Sequence, residues 1–405
     1  MAAVMKILQL TNKVPYPPKD GGAIATLNLS TGLADTGHQV SMLAMNTPKH
    51  SFEVSRIPSD ITKKVGIEAV DVDTTIKPAV AISNLLFSSL PYNASRFFSE
   101  SYGARLIEIL KHQEFDIIQL EGLYLAHYIP LIREHSKALI ALRAHNIEHE
   151  IWQRTAQQEK SFLKKLYFQI LAKRIMKFKK KILNTYDLLV PITQRDADRF
   201  TLFGNTRPMH VSPVGYQIAN SHPEPDKIRF PSVGCLGTLD WFPNQEGLIW
   251  FVDHVWPEIK QKRPELPFYI AGRNAPGWLE AYLSKKPVIY LGEIEDAKKF
   301  IRETAIMVVP LFSGSGMRVK IIEGMALGKT IVTTSIGAEG IPVQHLENIV
   351  VEDTAEGFVQ RINQLIDEPH LFKAIGGNAT RFIHKNFDNM KVCKELSDFY
   401  TKNLE

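Results

Sequence analysis

Arg318, Lys320 and Glu323 lie in the run 312–332, FSGSGMRVKIIEGMALGKTIV, where a glycine-rich turn meets a stretch with helical spacing. Val319, Ile322 and Ala326 make the core face of the expected helix, and Gly328 its C-terminal stop. That reading puts Arg318 and Lys320 in the first helical turn. The macrodipole is already positive there, so each cation costs a few tenths to about 1 kcal/mol unless an anion shares the site. Amides at Gly314, Ser315 and Gly316 can cradle phosphate oxygens while the guanidinium and ammonium neutralise a diphosphate. Glu323, one turn beyond Lys320, can accept hydrogen bonds from two neighbouring hydroxyls, as on a ribose. A plainer alternative keeps the basic residues solvated and pairs Lys320 with Glu323 at the surface, which is worth little.

The elements that must position this run alternate along the whole chain. Residues 6–10 read as a strand, Gly21-Gly22 opens a helix carrying Ile24, Leu27 and Ala34, and 39–44 is a second strand after Gly37. Short apolar segments at 116–120, 138–142 and 188–192 continue the pattern as parallel strands. After a polar stretch near 205–210 it restarts at 233–236, 268–271, 288–291, 306–309 and 330–333. The expected fold class is α/β, with two Rossmann-like doubly wound domains at 1–205 and 206–385 and a ligand cleft between facing strand ends. A closing helix over 386–405 fits either domain, a return onto the first being open to it.

A chain of 405 residues, 44% hydrophobic and 22% charged, is ordinary globular material and too long for one core. No run of 18 or more apolar residues occurs, and MAAVMKILQL reads as a strand rather than a signal sequence, so the expected location is cytoplasmic. Cys235 and Cys393 lack the close spacing of a metal or redox pair. Neither zinc nor a disulfide is expected. The formal net charge of +5 is modest for this size.

The run 312–332 resembles the donor-site motif of the family 4 retaining glycosyltransferases of GT-B fold, in particular a subgroup written GGGTRLKxLEAMAxGxPVV. The likeness extends over nearly the whole chain. It implies two Rossmann-like domains and transfer of a sugar from a nucleoside-diphosphate sugar to a carbohydrate or lipid-linked acceptor, in cell-surface polysaccharide or glycolipid synthesis. The implied chemistry is metal-independent, needs no cofactor, and is a same-face, oxocarbenium-like substitution in which the leaving phosphate takes the acceptor proton. Arg318 and Lys320 would grip the diphosphate, with Gly314, Ser315, Gly316 and Met317 around it and Glu323 on the ribose. The sequence departs from the wider family twice. Ser315 stands where a first glutamate contacts the donor sugar, and the loop GTLDWFPNQEGL from Gly237 has neither the Arg nor the Lys that grips the diphosphate there. Arg318 and Lys320 are expected to substitute. Within that loop Asp240-Trp241-Phe242-Pro243-Asn244 also resembles the subgroup.

Four further groups of residues complete the reading. Gly21 and Gly22 follow the first strand and resemble the family's first glycine loop, although a plain N-cap at Asp20 explains them too. His145, in LRAHNIEHE beyond the strand 138–142, resembles the family's active-site histidine next to the donor sugar, flanked by Asn146 and Glu148. Glu121 and Gln194 sit at strand ends as acceptor-side candidates or as ordinary turn residues. Arg273, in Gly272-Arg273-Asn274, and the turn Gly292-Glu293-Ile294 resemble base-contacting loops, with Gly337 and Glu339 at another such turn. The stretch from Lys160 to Leu183 carries nine Lys or Arg up to Lys181 and no acid, with Leu163, Leu166, Ile170 and Phe178 on one stripe. It suits an anionic membrane surface on the inner face of the plasma membrane, or a packed helix with a solvated basic face. No recognised nucleic-acid module accompanies the charge. Two rival functions are a non-catalytic sugar-nucleotide or glycan-binding protein and a nucleotide-sugar epimerase of the same fold.

Overall fold

Strands that are apolar on both faces can be satisfied only inside a sheet covered by helices on each side. The computed structural model, which describes residues 4–88, 90–218, 223–314 and 316–405, places them so. The chain divides into two units, Met1–Gly215 with Asn389–Glu405, and Tyr216–Asp388.

The first unit holds β1 (Lys6–Thr11), β2 (Gln39–Asn46), β3 (Val65–Asp71), β4 (Ile117–Glu121), β5 (Leu139–Ala144) and β6 (Leu188–Pro191). They form one sheet in the order β3-β2-β1-β4-β5-β6 with parallel neighbours throughout. Alternation along β1 splits the core in two layers: Leu8 and Leu10 join Tyr102, Ile118 and Phe178, whereas Ile7 joins Leu29, Leu33 and Val190. The closing helix, Asn389–Leu404, packs on the Gly21–Asp35 helix of this unit. Cys393, Leu396 and Tyr400 are buried there with Leu29 and Leu33, and Asn389 donates to the Asn28 carbonyl at 2.7 Å.

The second unit repeats the plan. Its strands are β7 (Arg229–Thr238), β8 (Phe268–Arg273), β9 (Ile289–Gly292), β10 (Thr304–Val309), β11 (Thr330–Thr333) and β12 (Val350–Val351). The order is β12-β11-β10-β7-β8-β9, again parallel. Counted from the first strand of each unit, both sheets run 3-2-1-4-5-6. The switch points therefore fall between β1 and β4 and between β7 and β10, where loops leave the carboxyl edge of each sheet.

The fold class read from the sequence is the one formed, and two edge strands are additions to it. β3 alternates buried and exposed positions at a sheet edge, and β12 has only two residues. Neither produces the continuous apolar run that marked the others. Both cysteines are buried free thiols. Among the described residues no helix is long and apolar enough to cross a membrane.

One close approach positions the loops of the second unit. The Phe242–Trp250 helix lies so near the end of β10 that a Cβ built on Gly247 would fall 1.5 Å from the Pro310 carbonyl oxygen. Glycine to alanine in a helix interior ordinarily stabilises by about 1 kcal/mol. Gly247→Ala is expected to do the reverse, lowering stability by about 1–3 kcal/mol or more in a denaturant titration; a variant as stable as the parent would mean that the helix does not pack there.

Candidate functional site

In the second unit the glycine turn leaves β10 and ends at the Val319–Ala326 helix. Gly314 and Gly316 have φ of 97° and 83°, the left-handed region open to glycine, so the turn can fold back tightly ahead of the helix. Ser315, between them, lies outside the described residues.

Arg318 is not in the first helical turn, which corrects the sequence reading. It is the cap residue, with φ −87° and ψ 91°, and the helix begins at Val319. Its extended backbone sends the guanidinium back over the turn. The Arg318 Cζ stands 5.8 Å from the centre of the Trp241 ring, and Nη2 lies 3.5 Å from the Ser313 carbonyl and 3.0 Å from where a Gly314 Cβ would be. The macrodipole argument thus applies to Lys320 alone.

Lys320 is within the first turn, and its ammonium reaches the carboxyl end of β7. It donates to Asn244 Oδ1 at 2.9 Å and to the Leu236 carbonyl at 3.4 Å, and lies 3.4 Å from a Cβ position on Gly237. Burial pushes this ammonium down to about 8, and Arg318 adds to the effect. A cation from the glycine segment is therefore delivered to the very loop that has no basic residue of its own. The surface pair between Lys320 and Glu323 is not formed. Burial raises the Glu323 carboxyl above its usual range, with Lys298 opposing and Asp296 reinforcing the shift.

Trp241 and Asn244, from the pattern that resembles the subgroup, and Glu246, which the sequence did not mark, complete this corner. Trp241 caps the Phe242–Trp250 helix, and Asn244 ties Lys320 to the loop by donating to the Thr238 carbonyl at 2.8 Å. Glu246, on the same helix, accepts from Ser313 Oγ at 2.9 Å, and burial raises its carboxyl. A carboxylate thus stands beside the glycine turn, from a residue 67 positions away from Ser313. The Asp240–Asn244 pattern pointed at this segment, but no local signal marked Glu246. Met317 packs against the apolar layer below the turn. Arg273 ends β8, and its carbonyl accepts from the Leu239 amide at 2.8 Å. The Gly292 turn ends β9 with φ 68°, and the Gly337 amide donates to Thr334 Oγ1 at 3.0 Å.

In the first unit β4 and β5 are neighbours, which brings together Glu121, Arg143 and His145. Glu121 accepts from His145 Nε2 at 2.7 Å and from Arg143 Nη1 at 3.2 Å, with side chains 2%, 19% and 0% exposed for Glu121, His145 and Arg143. Thr26 Oγ1 adds a third contact at 3.4 Å, and Gln119 donates to the other oxygen. Burial would raise the Glu121 carboxyl, but Arg143 and His145 outweigh it and hold it at about 2. Glu121 therefore sits beneath His145 as its anchor. The chain of bonds continues to the closing helix, where Tyr400 donates to Gln119 Oε1 at 2.6 Å.

The remaining candidates are more scattered. Asn146 is half-buried in the loop after β5. Asp20 caps the Gly21–Asp35 helix through the Ala23 amide at 3.0 Å and pairs with Lys13 at 2.6 Å, so the plain cap is formed and Gly22 lies beside that lysine. Gln194 is exposed and turned along its own helix, donating to Asp198 at 2.8 Å. Among the described residues no group of three or more His, Cys, Asp or Glu is placed to hold a metal ion.

Comparison with known proteins puts these geometries in a family context. Residues 230–368 match the family described as Glycosyl transferases group 1. A 44.6 kDa protein in the cps region of Klebsiella pneumoniae is 27% identical over 407 aligned residues, covering 96% of this chain and 98% of that one. The Anabaena protein Alr3699/HepE, solved in complex with UDP, superposes with a TM-score of 0.69 at 14% identity, covering 98% of this chain and all of its own (100%). Sucrose-phosphate synthase from Thermosynechococcus elongatus gives a TM-score of 0.70 at 16% identity, covering 98% and 99%. The second unit thus carries a match to Glycosyl transferases group 1 on a chain with the GT-B fold, and these findings support a GT-B glycosyltransferase.

Proposed function

We propose that the chain moves a glycosyl group, with retention of anomeric configuration and without a metal, from a nucleoside-diphosphate sugar to a carbohydrate or lipid-linked acceptor in cell-surface polysaccharide synthesis. The convergence of Arg318 and Lys320 on the glycine turn and the Gly237 loop carries this reading. Departure of a diphosphate is the electrostatic problem of such a transfer, and two preplaced cations with turn amides answer it. Glu323 is assigned to the ribose, and His145, held by Glu121, to orienting the reacting sugar. The structures of Alr3699/HepE with UDP and with UDP-glucose, and the cps-region relative, favour a nucleotide-sugar donor and a polysaccharide product.

Membrane attachment is part of the proposal. The Phe162–Ile182 helix begins with exposed Phe162, Leu163 and Leu166, and Arg174 joins it to the carbonyls of Asn84 and Leu90, beside a helix with exposed Ile82, Leu86 and Phe87. Lysines 164, 165, 173 and 177 are exposed on the longer helix. Apolar side chains ringed by ammonium groups suit an anionic lipid surface. Phe178 and Lys179 do not take part, because both are buried and Lys179 pairs with Glu148 at 2.8 Å.

Incubation with nucleotide sugars and glycolipid acceptors should release free nucleoside diphosphate, survive chelation, and give a product whose anomeric configuration by NMR matches the donor. Arg318→Ala and Glu323→Ala should each lower donor binding or turnover at least about tenfold, or about 1.4 kcal/mol. Wild-type behaviour in both would remove the donor-site assignment.

Lys320 makes the site pH-dependent. Below about 8 its ammonium is charged and able to pair with a diphosphate; above it the charge is lost. Affinity for a nucleoside diphosphate should fall as pH rises through about 8, and Lys320→Met should bind weakly with no such fall. The ligand-free chain moves the other way. The folded pKa lies below the unfolded one, so the unfolded state holds more protons and this group adds stability between about 8 and 10.5.

For the membrane face, Leu163→Asp with Phe87→Asp should abolish co-sedimentation with phosphatidylglycerol vesicles and leave the thermal midpoint unchanged; continued sedimentation would discard the surface.

A further inference from the structure

An open sheet ends in two edge strands, and each presents unpaired backbone groups unless something shields it. The two sheets end in β3 and β6 and in β12 and β9. Three of these edges are shielded. Val65 and Ile67 of β3 and all four residues of β6 are buried, β6 is continued by a bridge from Leu189 to Met209, and β12 has two residues with Val350 buried. β9 is different. Ile289 and Leu291 are 43% and 45% exposed, and among the described residues only β8 pairs with this strand. Ile289–Gly292 carries no charge and no proline to blunt the edge.

The two faces of β9 are unequal. On one, the Tyr290 hydroxyl donates to Glu280 of the Gly277–Leu283 helix at 3.3 Å, so a helix lies against it. Ile289 points to the other face, as does its ladder neighbour Tyr269. A cleft of about 470 Å3 opens there, bordered by Tyr269, Leu291, Ile294 and Phe300. Apolar side chains exposed on an unpaired edge, beside an apolar seat, suit a partner that is itself a strand.

The flanks of β9 say which strand. Lys285 and Lys286 precede it, Glu293, Glu295 and Asp296 follow it, and the next lysines, Lys298 and Lys299, belong to the Ala297–Glu303 helix. Lys286 pairs with Asp253 at 2.7 Å, whereas Lys285, Glu293 and Glu295 are exposed. A strand that is positive at one end and negative at the other is complementary to itself run antiparallel. A two-fold axis at Tyr290 sets Ile289 opposite Leu291 of a second copy and Lys285 opposite its Glu295, and symmetry makes each contact twice. Ile289 of the second copy then lies against Leu291 at the rim of the cleft.

We propose that β9 is the contact between two copies of this chain, the strands pairing antiparallel so that the second-unit sheets of the two copies run on into one. The inference goes beyond the transferase reading and does not rest on it. With four residues in β9 the ladder is short, so the association is weak and concentration-dependent.

Analytical ultracentrifugation of the full chain over a concentration series should show a reversible monomer–dimer equilibrium. Ile289→Lys, which sets an ammonium against Leu291 of the second copy, should raise the Kd at least about tenfold. Lys285→Glu and Glu295→Lys should each do the same, because each turns both symmetric attractions into repulsions. An equimolar mixture of these two variants should associate again, since positions 285 and 295 are then opposite in sign at both contacts. All three side chains are exposed, so the thermal midpoints should match the parent's. Should Ile289→Lys fold poorly, the charge variants and their mixture decide the matter alone. A dimer that the charge variants leave unchanged has its contact elsewhere and overturns the proposal, as does a mixture that fails to recover association. A chain that is monomeric at every concentration also overturns it, leaving β9 to a strand of another protein.

Discussion

A parallel sheet sends every strand's carboxyl end to one edge, and in a 3-2-1-4-5-6 order the chain leaves the first and fourth strands toward opposite faces. That constraint governs both units. It sets the switch points between β1 and β4 and between β7 and β10, and Glu121 and Gly237, at the ends of β4 and β7, and the Gly314 turn after β10 lie at that edge. Helices that follow these loops begin at the same edge, so their free amides are gathered where polar ligands can meet them.

Charge is then managed by neighbours rather than by solvent. Lys320 is held by Asn244 and a carbonyl, Arg318 rests over Trp241, and Arg143 is matched by Glu121. Desolvating a cation without such partners would cost several kcal/mol. In the second unit the arrangement leaves two cations beside a glycine turn and a carboxylate, Glu246, whose burial raises its carboxyl. In the first unit the carboxylate is consumed, and His145 is fixed by it. The same principle recurs around Glu150, which pairs with Arg154, Arg195 and Arg199.

The closing helix links this polar layer to the apolar one. Its Leu396 and Cys393 fill the face below β1, while Tyr400 extends the bond chain through Gln119 to Glu121. The placement of His145 is thereby coupled to a segment at the far end of the sequence, within one unit.

What the sequence determined by itself was local: the apolar runs that became every strand of the described residues except β3 and β12, the glycine turn after β10, the helix stop at Gly328, and the α/β alternation. Each depends on periodicity or on a backbone angle that a few adjacent residues set. The tertiary structure decided where the charges go. Arg318 became a cap instead of a helical residue because the helix starts one position later, a boundary that periodicity does not fix. Trp241, Asn244 and Glu246 reached the glycine turn because β7 and β10 are neighbours, and Glu121 came to lie under His145 because β4 and β5 are. Strand order is a property of the whole sheet, set by how the layers pack, so the partners it creates leave no mark in the residues on either side of them.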